Sequence, residues 1–232
     1  MPRTSAEIAA LEEPRQAGLL AAVTPLTRAF AGGVMGFHAP GSWQNQACGV
    51  GLEGPVSGDE IDAMVHFFTS RGVEPRIELS PFAHETLVAG LGARGFVVRE
   101  FENVLARELP EGEDLEAALP NGRPRDLVVW QLDPTDERGL REAVETTLSG
   151  FYPPGEIPDA MIVAGTKTLT VESMVCYVAA LDGQTVAAGS VGIGTRVASL
   201  MGVSTHPDFR RRGIQQYLMT TRLQTARARG CV

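Results

Sequence analysis

The most informative stretch of the chain is VSTHPDFRRRGIQ, at residues 203–215. It follows an apolar, strand-like run and precedes an amphipathic, helix-like pattern. A tight loop between a strand and a helix aims several unpaired main-chain amides at one point, where the helix dipole favours an anion. Gly213 has no side chain to keep a ligand away, and Arg210, Arg211 and Arg212 add positive charge. The stretch therefore predicts an anion or phosphate site.

The charge of this stretch contrasts with that of the whole chain. The 232 residues carry a formal net charge of −8, which disfavours nonspecific binding to nucleic acid or to an anionic membrane. Three consecutive arginines at one helix start reverse that charge locally. This reversal favours a binding site, and the alternative is a basic, solvated helix start without a ligand.

Cysteine and histidine patterns give no sign of a metal site or a disulfide framework. The three cysteines, Cys48, Cys176 and Cys231, include no CxxC pair, and the four histidines lack metal-ligand spacing. The N-terminus has no signal-peptide pattern, and no apolar stretch approaches the ~18 residues needed to span a bilayer. We expect a reduced, cytoplasmic protein without a metal ion.

Residues 1–110 carry the signals of an α/β region. A capping box at Ser57 and Glu60 predicts the start of one helix. A second helix should follow Pro81, with an apolar face that includes Val88. The other expected elements are a helix near residues 5–20 and strands at 48–52, 76–80 and 96–105.

A turn-rich, charged segment at residues 111–125 is the best candidate for a linker. After it, the pattern restarts in a second region, residues 126–232. Its central feature is a hairpin whose two strands are joined by Asp182 and Gly183. The predicted elements are strands at 127–132, 174–181, 185–193 and 196–203, a helix at 137–148 and a last helix from residue 210.

Three arginines, Arg222, Arg227 and Arg229, crowd the C-terminal half of the last helix. The helix dipole favours cations at that end, and Gly230 is a natural stop. We attribute all three to this effect.

The pattern Pro207-x-x-Arg210-x-x-Gly213-Ile214-Gln215 resembles motif A of the GNAT superfamily of acetyl-CoA-dependent N-acetyltransferases. That motif reads Arg/Gln-x-x-Gly-x-Gly/Ala, and Gln215 departs from its last position. The preceding hairpin and strand also match the order in which this superfamily builds its sheet. The resemblance covers residues 126–232 and implies an α/β fold with a mixed, mostly antiparallel central sheet flanked by helices.

The resemblance also implies a site for acetyl-CoA as co-substrate. The amides of Arg211 through Gln216 would bind the CoA diphosphate, and strand residues would pair with the pantetheine arm. The Val203 amide would polarise the thioester carbonyl, which a primary amine attacks directly. The cofactor-binding residues implied are Val203, Ser204, Thr205, Arg210, Arg211, Arg212, Gly213, Ile214, Gln215 and Gln216.

No catalytic acid or base is assigned. In the family, a Tyr that protonates the leaving thiol often lies in a strand-helix-strand segment that would follow Val232. The strand at 199–205 contains no Asp or Glu that could act as a base. Tyr152, in the loop GFYPPG at residues 150–155, is a candidate for the wall of the substrate site, with a plain packing role as the alternative.

The N-terminal region suggests a tandem arrangement. The strand at 76–80, the helix that follows it, the Gly95-Phe96 pair and the strand after that pair have the order of the second half of a GNAT domain. Upstream, no segment matches motif A. We interpret residues 1–110 as a degenerate GNAT-like half that completes the C-terminal sheet or packs against it; a generic α/β region is the alternative.

These observations predict an N-acetyltransferase that moves an acetyl group from acetyl-CoA to a primary amine of a small molecule or a peptide. We expect that amine to be the binding partner, and we expect no binding to nucleic acid or membranes. A homodimer is left open. A noncatalytic acyl-CoA-binding or assembly module is the rival, because no acid or base is found. A phosphate site unrelated to CoA is a third hypothesis.

Overall fold

The computed structural model describes residues 3–153 and 155–232, and the chain divides into two compact units. Unit 1 comprises Met1–Arg107 and unit 2 comprises Glu108–Val232. Pro154, which belongs to the predicted loop at 150–155, lies outside the described residues. Across the described ranges, no helix combines the length and the apolar character that a membrane crossing requires.

Unit 1 contains a three-stranded antiparallel sheet and three helices. Its strands are joined in the order β1-β2-β3. Capping boxes at Thr4 and Ser57 begin the first two helices. The elements are α1 (Ser5–Val23), β1 (Leu26–Phe30), β2 (Gly33–Phe37), β3 (Gln46–Cys48), α2 (Gly58–Thr69) and α3 (Glu85–Ala93).

The core of unit 1 forms where α2 and α3 bury their apolar faces. Ile61, Met64 and Phe68 are buried at helical spacing on α2, and Leu87 and Leu91 are buried on α3. The same cluster includes Phe30 and Met35 from the sheet. This spacing is the one that the sequence pattern predicts for amphipathic helices.

Several expectations for unit 1 are wrong. The strand expected at 48–52 ends at Cys48, because Gly49 and Gly51 adopt positive φ angles of 68° and 78°. Residues 76–80 form only a single parallel bridge, between Ile77 and Ala47. Val88, expected on the buried face of its helix, is 49% exposed. Strands β1 and β2 were not predicted.

The strand expected at 96–105 is also wrong. Residues 97–110 have no secondary structure, and the large apolar side chains from Val97 to Leu105 are exposed. Their alternation with polar residues mimics a half-buried strand. The most exposed are Phe101 and Leu105, at 87% and 94%.

Unit 2 is built on a four-stranded antiparallel sheet in the order β4-β5-β6-β7, with β7 at an edge. All four strands come from unit 2 itself, so the expectation that residues 1–110 complete this sheet is wrong for the described part of the chain. The elements are β4 (Val128–Gln131), α4 (Glu137–Leu148), α5 (Asp159–Leu169), β5 (Met174–Leu181), β6 (Gln184–Ile193), β7 (Ala198–Thr205) and α6 (Ile214–Ala228).

The two faces of this sheet are covered by different helices. Cys176 and Val178 of β5 pack with Leu140 of α4, whereas Ala179 of β5 packs with Leu218 of α6. Successive residues of a strand point to opposite faces of the sheet, so β5 can bury side chains against both helices. The predicted fold class, a mixed α/β protein with antiparallel sheets flanked by helices, is confirmed.

Most elements of unit 2 were predicted within two residues. The helix at 137–148 and the hairpin are confirmed, and its turn residues Asp182 and Gly183 have φ angles of 50° and 78°. The last helix begins at Ile214 rather than at residue 210, because a short 3-10 turn at Pro207–Phe209 precedes it. Helix α5 was missed.

Candidate functional site

An arginine in the loop between β7 and α6 binds the end of the preceding strand. Arg210 donates a hydrogen bond from Nε to the main-chain oxygen of Thr205, at 3.2 Å. His206 caps the start of the 3-10 turn at Pro207–Phe209, because its Nδ1 accepts a hydrogen bond from the amide of Asp208. These contacts hold the end of β7 near the start of α6.

The start of α6 presents a row of free amide hydrogens. Arg211 and Gly213 adopt left-handed conformations, with φ angles of 63° and 77°. Within residues 3–153 and 155–232, none of the amides from Arg211 to Gln216 donates a hydrogen bond. The first turn of α6 contains no acidic residue, and no side chain caps it. Such a turn offers an anion several main-chain donors and the positive end of the helix dipole.

The side chains around this turn leave room for a ligand. Arg210, Arg211 and Arg212 are exposed, and the Arg212 guanidinium lies over the ring of Phe209 at 5.2 Å. Ile214 is buried in the core, so only its amide can face a ligand. Gln215, which departs from motif A, is exposed.

A β-bulge interrupts β7 just before this loop. Ser204 faces Ala188 and Met201 faces Ser190, so Gly202 and Val203 together oppose the single residue Gly189 of β6. Gly202 has a positive φ of 56°, which glycine adopts readily. The bulge turns the main chain around Val203, the residue predicted to present the oxyanion amide.

The loop after α4 lies directly against β7. The Thr147 hydroxyl donates a hydrogen bond to the main-chain oxygen of Gly202, at 3.1 Å. A β-carbon at Gly150 would collide with the Ser204 hydroxyl. Phe151 is 75% exposed and Tyr152 is half-buried. The structure thus brings the predicted substrate residue Tyr152 into a loop that contacts the predicted cofactor strand.

Two buried polar groups lie near this strand. Thr205 is 6% exposed, and its hydroxyl has no hydrogen-bond partner among the described residues. Arg222 is fully buried at 0% exposure. The expectation that Arg222 serves the dipole at the end of α6 is wrong, because its guanidinium turns inward to the sheet.

The start of α2 in unit 1 provides a contrast with the start of α6. Each helix follows a three-stranded antiparallel arrangement, β1-β2-β3 or β5-β6-β7. At α2, however, the Glu60 carboxylate accepts hydrogen bonds from the amide and hydroxyl of Ser57, at 2.8 and 2.7 Å. Asp59 adds a second negative charge in that turn. An acidic, self-capped helix start repels a diphosphate.

Carboxyl groups with a raised pKa occur in unit 1. Burial raises the pKa of Glu13 and of Glu78, and repulsion between carboxylates adds to the effect. Strand β7 carries no carboxyl group. No group of three or more potential ligands among the described residues could hold a metal ion.

Residues 141–232 match the family model described as the acetyltransferase (GNAT) family. This match begins within α4, extends through α6 and includes the bulge and the open helix start. Residues 141–232 of unit 2 are therefore similar to the GNAT acetyltransferase family. Among curated proteins, no sequence matches the chain.

One solved structure supports this fold, and a second is similar over a smaller part of the chain. A GCN5-related N-acetyltransferase from Kribbella flavida aligns over 100% of this chain and 84% of its own, with 17% identity and a TM-score of 0.63. An aminoglycoside acetyltransferase from an uncultured soil metagenomic sample, solved with trehalose, aligns over 46% of this chain and 74% of its own. Its identity is 18% and its TM-score 0.39.

Sequence reasoning missed the side chains that hold the β7 bulge. Nothing in the sequence indicated the contact of Thr147 with β7, because a threonine near the end of a helix is common. The burial of Arg222 was weakly indicated, because it lies one turn after Leu218, on the same side of α6 as the buried residues. Spacing alone could have placed it inside.

Proposed function

We propose that this protein transfers an acetyl group from acetyl-CoA to a primary amine. One observation carries the proposal: the six consecutive amides from Arg211 to Gln216 have no partner among the described residues, at a turn that lacks acidic side chains. A diphosphate is the ligand that such a turn accommodates, because several donors and a helix dipole converge on it.

The residues of this turn fit CoA in shape as well as in charge. An ideal β-carbon at Gly213 would have its nearest neighbours at 3.7 and 3.8 Å, so the space beside the main chain is open. Arg210, Arg211 and Arg212 supply positive charge around it. When bound, acetyl-CoA supplies the activated thioester.

The outer edge of β7 is suited to the pantetheine arm. Because β7 is an edge strand, main-chain groups on its free side can pair with an extended ligand, in the manner of strand addition. Val203, Ser204 and Thr205 form that part of the edge. In this arrangement the Val203 amide donates to the thioester oxygen as negative charge develops on it.

The loop after α4 is the proposed wall of the amine site. Gly150 places it against Ser204, and Phe151 is exposed beside Tyr152. A flat apolar side chain next to the thioester would orient a substrate and exclude water from it. The acidic net charge of the chain favours the approach of a cationic amine.

We also propose that residues 1–110 are a degenerate GNAT-like half, joined to the domain at 126–232 by a linker at 111–125. The order of β1-β2-β3, α2, the parallel bridge at Ile77 and α3 supports this proposal. The Ser57–Glu60 capping box supports a loss of cofactor binding there. The chain would then bind one acetyl-CoA.

Calorimetry with acetyl-CoA and an assay for thiol release test these proposals together. We expect one binding site per chain and release of CoA with at least one member of a broad amine panel. Binding without thiol release would favour the rival, a noncatalytic acyl-CoA-binding module, which the absence of a carboxylate from β7 supports. Equal competition by ADP and 3′-phospho-ADP would favour a phosphate site unrelated to CoA.

A further inference from the structure

Side chains from two helices and from strand β6 hold the main chain of the β7 bulge. The main-chain oxygen of Met201 accepts hydrogen bonds from the Ser190 hydroxyl, at 3.0 Å, and from Arg222 Nη1, at 3.4 Å. The next oxygen, that of Gly202, accepts a hydrogen bond from the Thr147 hydroxyl at 3.1 Å. Two consecutive peptide groups of the bulge are therefore anchored by side chains.

The anchor on Gly202 sets the direction of the Val203 amide. The carbonyl of Gly202 and the N–H of Val203 belong to one planar, trans peptide group and point in opposite directions. A hydroxyl that binds the Gly202 oxygen therefore turns the Val203 N–H to the other side. Gly202 has a positive φ and no β-carbon, so its main chain can adopt several conformations, and this anchor selects one of them.

Arg222 supports the bulge from the opposite helix. It donates from Nε to the Leu218 oxygen at 3.1 Å and from Nη1 to the Ser190 oxygen at 3.0 Å. Its guanidinium carbon lies 3.2 Å from the position of a β-carbon at Gly189, so a glycine there gives it room. Within the described ranges no carboxylate pairs with it. Apart from the Leu218 oxygen on its own helix, its hydrogen-bond acceptors are the main-chain oxygens of Ser190 and Met201, beside and at the bulge.

We propose that Thr147 and Arg222 are positioning residues, which fix the direction of the Val203 amide for acetyl transfer. Neither side chain needs to touch acetyl-CoA or the amine. Thr147 orients the peptide between Gly202 and Val203, and Arg222 holds the peptide before it. The inference rests on the proposed function, in which the Val203 amide stabilises the developing oxyanion.

Thr147→Val tests the first anchor, because valine keeps the shape of threonine and removes the hydroxyl. We expect kcat to fall about 10- to 100-fold, the cost of a misplaced oxyanion donor. The Kd of acetyl-CoA should stay within about threefold, because the six loop amides are untouched. Thr147→Ser should restore most of kcat. Thr146→Val, one residue away on α4, is the matched control and should leave both constants unchanged.

Arg222→Met tests the second anchor, because methionine fills the space without donating. It should lower kcat in the same way and leave the Kd of acetyl-CoA unchanged. Arg227→Met is the matched control, since Arg227 also donates to a main-chain oxygen, that of Glu113 at 2.6 Å, but away from the bulge. A fall in kcat with both Arg222→Met and Arg227→Met would overturn the assignment of Arg222.

The amide signals of Gly202 and Val203 in a 1H-15N spectrum separate this inference from the proposed function. We expect them to shift in Thr147→Val and Arg222→Met but not in Thr146→Val and Arg227→Met. If the parent protein releases no CoA with any amine, the proposed function fails and these signals alone decide whether the anchors exist. Unshifted signals, unchanged kcat, or equal changes in kcat and Kd would each overturn the positioning role.

Discussion

Gly150 packs so closely against Ser204 that a β-carbon at residue 150 would collide with the Ser204 hydroxyl. The loop after α4 and the edge strand β7 are therefore fitted to each other at this point. Gly150→Ala should push Ser204 aside, destabilise unit 2 by about 1–3 kcal/mol, and lower kcat/KM for acetyl-CoA. Chemical denaturation and steady-state kinetics measure the two effects.

The double variant Gly150→Ala/Ser204→Ala is the control for that collision. Removal of the hydroxyl leaves only a milder contact, with the Ser204 β-carbon at 3.2 Å. The two substitutions should therefore be strongly non-additive, with the double variant more stable than Gly150→Ala alone. Simple additivity would show that the two residues do not constrain each other.

Gly213→Asp should abolish acetyl-CoA binding while unit 2 remains folded. The β-carbon would meet no atom closer than 3.7 Å, so we expect the folding cost to be mainly that of a left-handed aspartate, about 1 kcal/mol. A carboxylate at the helix start would instead repel the diphosphate. Calorimetry measures the affinity for acetyl-CoA, and thermal unfolding measures the stability of the variant.

Gly213→Asn is the matched variant for this test, because asparagine tolerates the left-handed region and carries no charge. It should weaken binding less than aspartate does. An affinity for acetyl-CoA that is the same in the parent and in Gly213→Asp would remove the diphosphate assignment.

Ser57→Ala should destabilise unit 1 without affecting acetyl-CoA. The substitution removes the hydroxyl that accepts from the Glu60 amide at 3.3 Å, and the loss of such a cap costs about 1 kcal/mol. Denaturation and calorimetry on the same preparation test both halves of the prediction. Weaker acetyl-CoA binding in this variant would contradict the proposal that unit 1 holds no cofactor.

The thiol of Cys176 should make the protein less stable in alkali. Burial raises the pKa of this thiol to about 12, whereas in an unfolded chain it is about 8.5. Between these values the unfolded state has lost the proton and the folded state has kept it, so stability falls as the pH rises. We expect the free energy of unfolding to drop by about 1 kcal/mol more in the parent than in Cys176→Ala between pH 9 and 10.

The pH range that is useful for this measurement ends near pH 10. Burial lowers the pKa of Arg222 to about 10, so above that pH the folded state releases a proton that the unfolded state keeps. That effect has the opposite sign and reduces the pH dependence of stability in both proteins. Denaturation curves at pH 7, 9 and 10 are sufficient, and parallel pH dependence in the two proteins would contradict the prediction.

The sequence was most informative where one local rule dominates. The hairpin at Asp182 and Gly183 and the capping box at Ser57 depend on a few adjacent residues, and both were predicted correctly. The open turn at Gly213 was recognisable for the same reason, since its arginines and glycine are neighbours in the chain. The assignment of these residues to acetyl-CoA stays a prediction.

Features that depend on distant partners were not predictable in this way. Residues 97–105 alternate like a strand, but a strand also needs a neighbour, and no pattern within the run reveals whether one exists. Arg222 was placed with the charges of α6 because its acceptors on β6 and β7 lie 32 and 21 residues away. Thr147 likewise acts on Gly202, 55 residues later.

The exposed run from Val97 to Leu105 has a practical consequence for work in solution. Phe101 is 87% exposed and Val98 71%, and no described residue pairs with this run as a strand. Exposed apolar chain without a strand partner promotes self-association as protein concentration rises. Lysine in place of Val98 or Phe101 is therefore the first change to make for concentrated samples.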